Sequence, residues 1–153
     1  MSTETKSSSE YKSGEIKYQV LHQVPDAQTY CHLRKASGLS PKTHEAAERG
    51  LSGGLFAVLI AVNDQIIGMG RVIGDGGTTY QVCDIAVLPE YQGQGLGKVI
   101  MTEIMAYLDE HAPESAYVSL IADGPAQHLY TQYGFAAVTP ASVGMAYKVG
   151  RKA

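Results

Sequence analysis

The chain has 153 residues, of which 44% are hydrophobic and 18% charged, with a formal net charge of −3. This is neither a disordered nor a membrane composition, and the length suits one domain with a core of ordinary size. The charge balance gives no general attraction to nucleic acid or anionic membranes, and no apolar run approaches the ~20 residues that span a bilayer.

The two cysteines, Cys31 and Cys83, show no metal or redox spacing, which suits a reduced, cytoplasmic protein. The opening stretch "MSTETKSSSEYKSGE" is polar and has no apolar core of a secretory signal. It reads as a disordered tail over 1–14, with 15–153 as a single domain.

"EIKYQVL" (15–21) alternates as a first strand. A helix is expected between Pro25 and Gly38. A second is expected after Ser40 and Pro41, as cap and first-turn residue, ending at Gly50, Gly53 and Gly54. "LFAVLIAV" (55–62), the turn "NDQ" and "IIGMGRVIG" (66–74) form a predicted hairpin. The turn "DGGTT" leads to a third strand, "YQVCDIAV" (80–87). Leu96, Val99, Ile100, Ile104 and Leu108 recur at helical spacing over 95–111. A strand at 116–122, a helix at 124–134 and a last strand at 143–149 complete the order β-α-α-β-β-β-α-β-α-β. This is an α/β chain of the α+β type, a mostly antiparallel sheet followed by a crossover unit. An exposed last strand would suit a homodimer.

"LPEYQGQGLGKVI" (88–100) places Gly93, Gly95 and Gly97 between a strand and a helix. The first turn of a helix carries N–H groups without intrahelical partners, at the positive end of the macrodipole. Glycines clear side chains from those groups and permit positive φ, which suits a bound diphosphate. A dinucleotide fingerprint is excluded, because Lys98 stands where G-x-G-x-x-G needs its third glycine. A Walker A loop is excluded too, since Val99 replaces the hydroxyl residue after Gly97-Lys98.

The pattern that fits is Q-x-x-G-x-G, at Gln92, Gly95 and Gly97. "DIAVLPEYQGQGLGKVIMTEIMAYL" (84–108) resembles the acetyl-CoA-binding motif of the GNAT N-acetyltransferase superfamily. "LYTQYGF" (129–135) resembles that superfamily's second signature, L-Y-x-x-x-G-F. The resemblance implies a GNAT fold, with a twisted sheet and helices on both faces. It also implies acetyl-CoA as cosubstrate. The main chain of Ile85, Ala86 and Val87 would pair with the pantetheine amides. The N–H groups of Gln92, Gly93, Gln94, Gly95, Leu96, Gly97 and Lys98 would hold the diphosphate. Lys98 is either an added charge there or a solvated first-turn lysine.

Tyr130 matches the family tyrosine that lies near the cofactor sulfur and protonates the leaving thiolate. Asp84 matches an acidic residue of spermidine-type acetyltransferases, which implies amine binding or a general base; the alternative is a structural carboxylate. Asp123 falls among the cofactor-side positions, where many members carry an Asn. The combination "SLIAD…LY…GF…GM" looks like the branch of plant and cyanobacterial serotonin N-acetyltransferases, in which Asp123 would serve the amine or a water.

The histidines show no ligand spacing, so no metal is expected. Arg71 and Tyr80 lie on strands whose facing the sequence leaves open. The function implied is direct acetyl transfer to a small primary amine in a ternary complex, with no nucleic-acid or membrane partner. A protein lysine or N-terminal acetyltransferase and a non-catalytic acyl-CoA sensor are the alternatives.

Overall fold

In a computed structural model of the chain, residues 9–13 and 16–150 are described. They divide into two compact units between Leu120 and Ile121. The first contains a six-stranded sheet whose spatial order follows the sequence. Its strands are β1 (Ser9–Ser13), β2 (Ile16–Leu21), β3 (Phe56–Val62), β4 (Gln65–Gly74), β5 (Thr79–Val87) and β6 (Tyr117–Ser119). Neighbours run antiparallel except β5 and β6, which are parallel. The helices of this unit are α1 (Ala27–Ala36), α2 (His44–Leu51) and α3 (Leu96–His111), and α3 supplies the crossover from β5 to β6.

β3 is an unbroken apolar run because Ala57 to Val62 are all buried, as a strand covered on both faces must be. Asn63 and Asp64 take φ of 49° and 65° and turn the chain straight back, with Val62 paired to Gln65. Those are the dihedral signs of a type I′ hairpin, whose twist matches that of its strands. At the next turn the Asp75 Oδ1 accepts from the N–H groups of Gly77, Thr78 and Thr79 at 2.9, 2.8 and 3.1 Å.

α3 buries Leu96, Ile100, Met101, Ile104 and Leu108 against the sheet. It sits close because β4 presents glycines beneath it. A Cβ added at Gly70 would lie 2.5 Å from Ile100 Cγ2, 2.9 Å from Ile85 Cδ1 and 3.0 Å from Ile104 Cδ1. Successive side chains on a strand face opposite ways, so Arg71 points to the other face, where it meets α1. Helices therefore cover both faces, as expected. Further along α3, Glu103 pairs with His22 at 3.0 Å, and Tyr107 stacks on Phe56 with ring centroids 4.6 Å apart.

Three expectations are corrected. Residues 9–13, read as part of the tail, form β1 and pair with β2 from Ser9↔Val20 to Ser13↔Ile16; the rest of 1–14 lies outside the described residues. The second helix starts at His44 under a Thr43 cap. Ser40 instead receives Arg34, its carbonyl and hydroxyl accepting at 2.8 and 3.0 Å. In the second unit, a 3-10 turn (Gly124–Ala126) precedes a short α4 (Gln127–Thr131), and 143–149 is not a strand. The stretch alternates as a strand would, but a strand also needs a ladder partner. The dimer argument from that strand lapses with it.

The Gly70 contacts generate a stability prediction. Gly70→Ala overpacks the α3–sheet interface and should cost about 1–3 kcal/mol. Thermal unfolding should show Tm lower by about 2–4 °C per kcal/mol for a chain of this size. An unchanged Tm would mean that α3 rides higher on the sheet.

Candidate active site

β5 ends at Val87, and Leu88 N donates to Ile67 O at 2.8 Å, so the chain leaves the sheet still tied to β4. A 3-10 turn over Pro89–Tyr91 follows. The Gln92 side-chain amide then reaches back and donates to the Val87 carbonyl at 2.8 Å. Gln92, expected to offer backbone N–H, thus also fixes the loop to the strand end.

Gly93 and Gly95 adopt φ of 80° and 82°, a region that strains any residue with a Cβ. Around a Cβ placed at Gly93 there is nothing within 4 Å. The other helices of this unit begin under side-chain caps: Asp26 accepts from Thr29 N at 2.7 Å, and Thr43 from Ala46 N at 3.1 Å. α3 begins on Gly95, which has no side chain to offer. Leu96 buries its side chain in the core, so its place in the loop is a main-chain one, while Gly95 and Lys98 are exposed. An exposed helix entrance with bare backbone and a positive dipole fits the diphosphate of a coenzyme.

The edge of β5 is open along the same stretch. β6 pairs only with Thr79, Tyr80 and Gln81. Beyond Gln81, β5 has no strand partner on that side among the described residues. Ile85, Ala86 and Val87 lie there, their other side partly held by β4 through Met69↔Ala86 and Gly68↔Val87.

Asp84 lies in the interior with both carboxylate oxygens engaged. Its Oδ1 accepts from Arg34 Nη1 at 2.6 Å and from the Tyr30 hydroxyl at 2.9 Å. Its Oδ2 accepts from Arg71 Nη1 at 2.9 Å and, weakly, from the Cys83 thiol at 3.5 Å. A carboxylate has about four lone-pair sites, and four donors occupy them. The side chains of Asp84, Arg34 and Arg71 are 6%, 10% and 9% exposed. A buried charge needs such partners, and two guanidiniums around one carboxylate leave the cluster cationic, unsuited to collecting an ammonium. Among the roles expected of Asp84, this arrangement favours the structural carboxylate.

Tyr30 lies between the guanidiniums, 6.0 Å from the Arg34 carbon and 5.8 Å from that of Arg71, measured to the ring centroid. Burial and the Asp84 charge push its phenol up to about 12, so it remains a donor. Burial first, then Asp84, pushes the Cys83 thiol up to about 12 as well, which makes it a poor nucleophile. Tyr80, whose facing the sequence left open, is core. Tyr30 and Arg34 escaped the sequence reading. The signal was present: an aspartate inside an apolar strand demands buried cations, and Arg34 and Arg71 stood on neighbouring elements.

Tyr130 and Asp123 belong to the second unit. Tyr130 sits on α4, with Phe135 edge-on at 6.5 Å, and its carbonyl accepts from Tyr133 N and Phe135 N at 3.0 and 3.3 Å. Gly134 takes φ of 90° and ends the turn as the signature requires. Burial, and then the Asp123 charge, raises the Tyr130 phenol above the usual tyrosine value. Among the described residues, no group of three or more acidic, histidine or cysteine side chains is placed to hold a metal ion.

Residues 29–145 match the family model described as an acetyltransferase (GNAT) domain. The chain belongs to the GNAT acetyltransferase family. Acetyltransferases of this family use acetyl-CoA as cosubstrate. A probable acetyltransferase from methicillin-resistant Staphylococcus aureus, itself of unknown function, is 53% identical with a TM-score of 0.83, over 86% of this chain and 98% of that one. The chloroplastic GCN5-related N-acetyltransferase 2 of Arabidopsis thaliana is 36% identical over 73 residues, 48% of this chain and 28% of that protein. A ribosomal protein bS18-alanine N-acetyltransferase from Haemophilus influenzae is 32% identical over 75 residues, 48% of this chain and 49% of that protein. The matches cover less than half the length of these curated relatives. No helix among the described residues of this acetyltransferase is long and apolar enough to cross a membrane.

The charge of Asp123 disfavours ionisation of Tyr130, so Asp123→Asn should lower the Tyr130 pKa. NMR titration of ring-labelled tyrosine, with Tyr130→Phe for assignment, reads this directly; an upward shift would separate the two groups electrostatically.

Proposed function

We propose that this acetyltransferase moves the acetyl group of acetyl-CoA directly to the nitrogen of a small primary amine, within a ternary complex. The observation that carries the reading is the glycine-opened entrance to α3, continuous with the open edge of β5, in a chain of this family. On this reading, N–H groups from Gln92 to Lys98 hold the diphosphate, and main-chain groups of Ile85 to Val87 pair with the pantetheine amides. The bound substrate supplies a thioester carbon for attack by the amine; an amide forms and the C–S bond breaks.

By its match to the family tyrosine, Tyr130 is assigned the proton given to the departing sulfur, and its raised phenol keeps that proton bound through the neutral range. A coenzyme thiol resembles a cysteine of pKa near 8.5 and already leaves fairly well, so this acid contributes at most ~10²-fold. The acceptor needs the reverse service. A primary amine of pKa near 10.4 is neutral in about one part in 2,500 at pH 7, a deficit of about 4.6 kcal/mol. With the Asp84 lone pairs filled, we assign the amine's proton to water. The high Cys83 thiol argues against an acetyl-cysteine intermediate and for direct transfer.

An arylalkylamine, a polyamine and an amino-sugar are the acceptor classes to test. The Haemophilus relative named as a ribosomal-protein alanine acetyltransferase supports a second reading, transfer to a protein N-terminus. A thiol-release assay with an amine panel and a peptide beginning in alanine separates them. Release with free amines alone supports the small-amine reading, and release with the peptide alone supports the second. Coenzyme binding without release by any acceptor would leave a sensor.

For Tyr130→Phe, kcat should fall by up to ~10²-fold while calorimetric affinity for acetyl-CoA is unchanged. Undiminished turnover would remove Tyr130 from the chemistry.

A further inference from the structure

The β4–β5 ladder contains one irregularity, and Asp84 sits in it. Arg71 pairs with Cys83 and Met69 with Ala86, so Gly70 alone faces Asp84 and Ile85. This is a two-against-one β-bulge. Asp84 takes φ of 57° there, the left-handed region in which bulges of this kind ordinarily place glycine. A residue with a side chain is uncommon in such a conformation, and local partners must hold it there.

The surroundings are the four donors on the Asp84 carboxylate. They come from three elements: Tyr30 and Arg34 on α1, Arg71 on β4, and Cys83 on β5 itself. The two arginines are themselves anchored. Arg34 donates to the Ser40 carbonyl and hydroxyl, and Arg71 donates to the Gly50 carbonyl at 3.4 Å. Ile85, the other bulged residue, turns to the opposite face and packs over Gly70 beside α3. The bulge is therefore gripped from both faces of the sheet.

The bulge comprises Asp84 and Ile85 and leads directly into Ala86 and Val87, on the edge that β6 leaves open. A bulge bends its strand and raises the local twist, so it sets the direction in which those main-chain groups point. We propose that the Arg34–Asp84–Arg71 cluster is a positioning device. It holds the Asp84 bulge so that the main chain of Ile85 to Val87 is presented to the pantetheine arm of the coenzyme. Asp84 then acts on the donor substrate through the backbone, not on the amine through its carboxylate. This inference rests on the proposed pairing of pantetheine with that strand edge.

The experiment compares Tyr30→Phe, Asp84→Asn and Arg71→Met with the unaltered chain. Calorimetry uses two probes: acetyl-CoA, and adenosine 3′-phosphate 5′-diphosphate, which carries the diphosphate without the pantetheine. Steady-state kinetics with the best acceptor of the panel give KM, kcat and their pH dependence. Asparagine tolerates the left-handed region and keeps one acceptor oxygen, and Tyr30→Phe removes one hydrogen bond only, so a folded variant is at hand throughout.

Acetyl-CoA affinity should fall roughly tenfold or more in Asp84→Asn and Arg71→Met, and two- to fivefold in Tyr30→Phe, on the scale of one or two hydrogen bonds. Affinity for the nucleotide probe should stay within twofold. The acceptor KM and the pH limbs of kcat/KM should not move. The proposal is overturned if Asp84→Asn leaves acetyl-CoA affinity intact and abolishes the acidic limb for the amine, since that marks a base. Equal losses for both probes overturn it as well, because a general loosening would reach the helix entrance. If the unaltered chain binds acetyl-CoA no better than the nucleotide probe, the pantetheine pairing itself fails, a result distinct from either.

Discussion

A charged carboxylate in the interior is costly unless it is partnered, and Asp84 is matched twice over. Its partners draw α1, the chain before α2, β4 and β5 to one point. Replacing such a cluster by apolar residues would often be neutral for stability, so its contribution is to geometry rather than strength. What the cluster fixes is direction. Arg34 cannot leave Ser40, Arg71 cannot move away from β4, and the aspartate backbone between them stays in a conformation it would not choose alone.

The other face of the sheet solves a different problem. α3 must start at an entrance open to a ligand and yet be anchored firmly enough for that entrance to stay put. Leu96 anchors the first turn in the core, and glycine on β4 lets Ile100 and Ile104 approach the strand. The His22–Glu103 pair and the stacked Phe56 and Tyr107 tie the remainder of the helix down. The exposed first turn thus belongs to one of the best-buried helices in the unit, so an amide array at its start is held rigid without a side-chain cap.

Much of this was legible in the sequence because the deciding information was local. The apolar run at 55–62, the asparagine–aspartate turn and the glycines before α3 each dictate a backbone shape within a few residues. Other features depended on partners far along the chain. β1 is polar and earns no strand signal, but β2 offers it a ladder. Residues 143–149 carry the alternation yet form no strand. Thr43 caps α2 because Ser40 is engaged by Arg34, an arrangement no local pattern reveals. Asp84 stands out in its apolar strand, but the partners of its carboxylate lie 54 and 50 positions earlier, at Tyr30 and Arg34. Register, not propensity, decides such matters.

The raised phenol of Tyr130 has a physiological corollary. A donor that keeps its hydrogen well past neutrality imposes no titration of its own on the reaction in a living cell. On the proposed mechanism, sensitivity to ambient acidity is then inherited from the acceptor nitrogen. An alkylamine would respond nearly tenfold per pH unit, because its neutral fraction does. A weakly basic aromatic amine would hardly respond, so the same catalyst would act as an acidity sensor for one nutrient and as a constant-rate modifier for another.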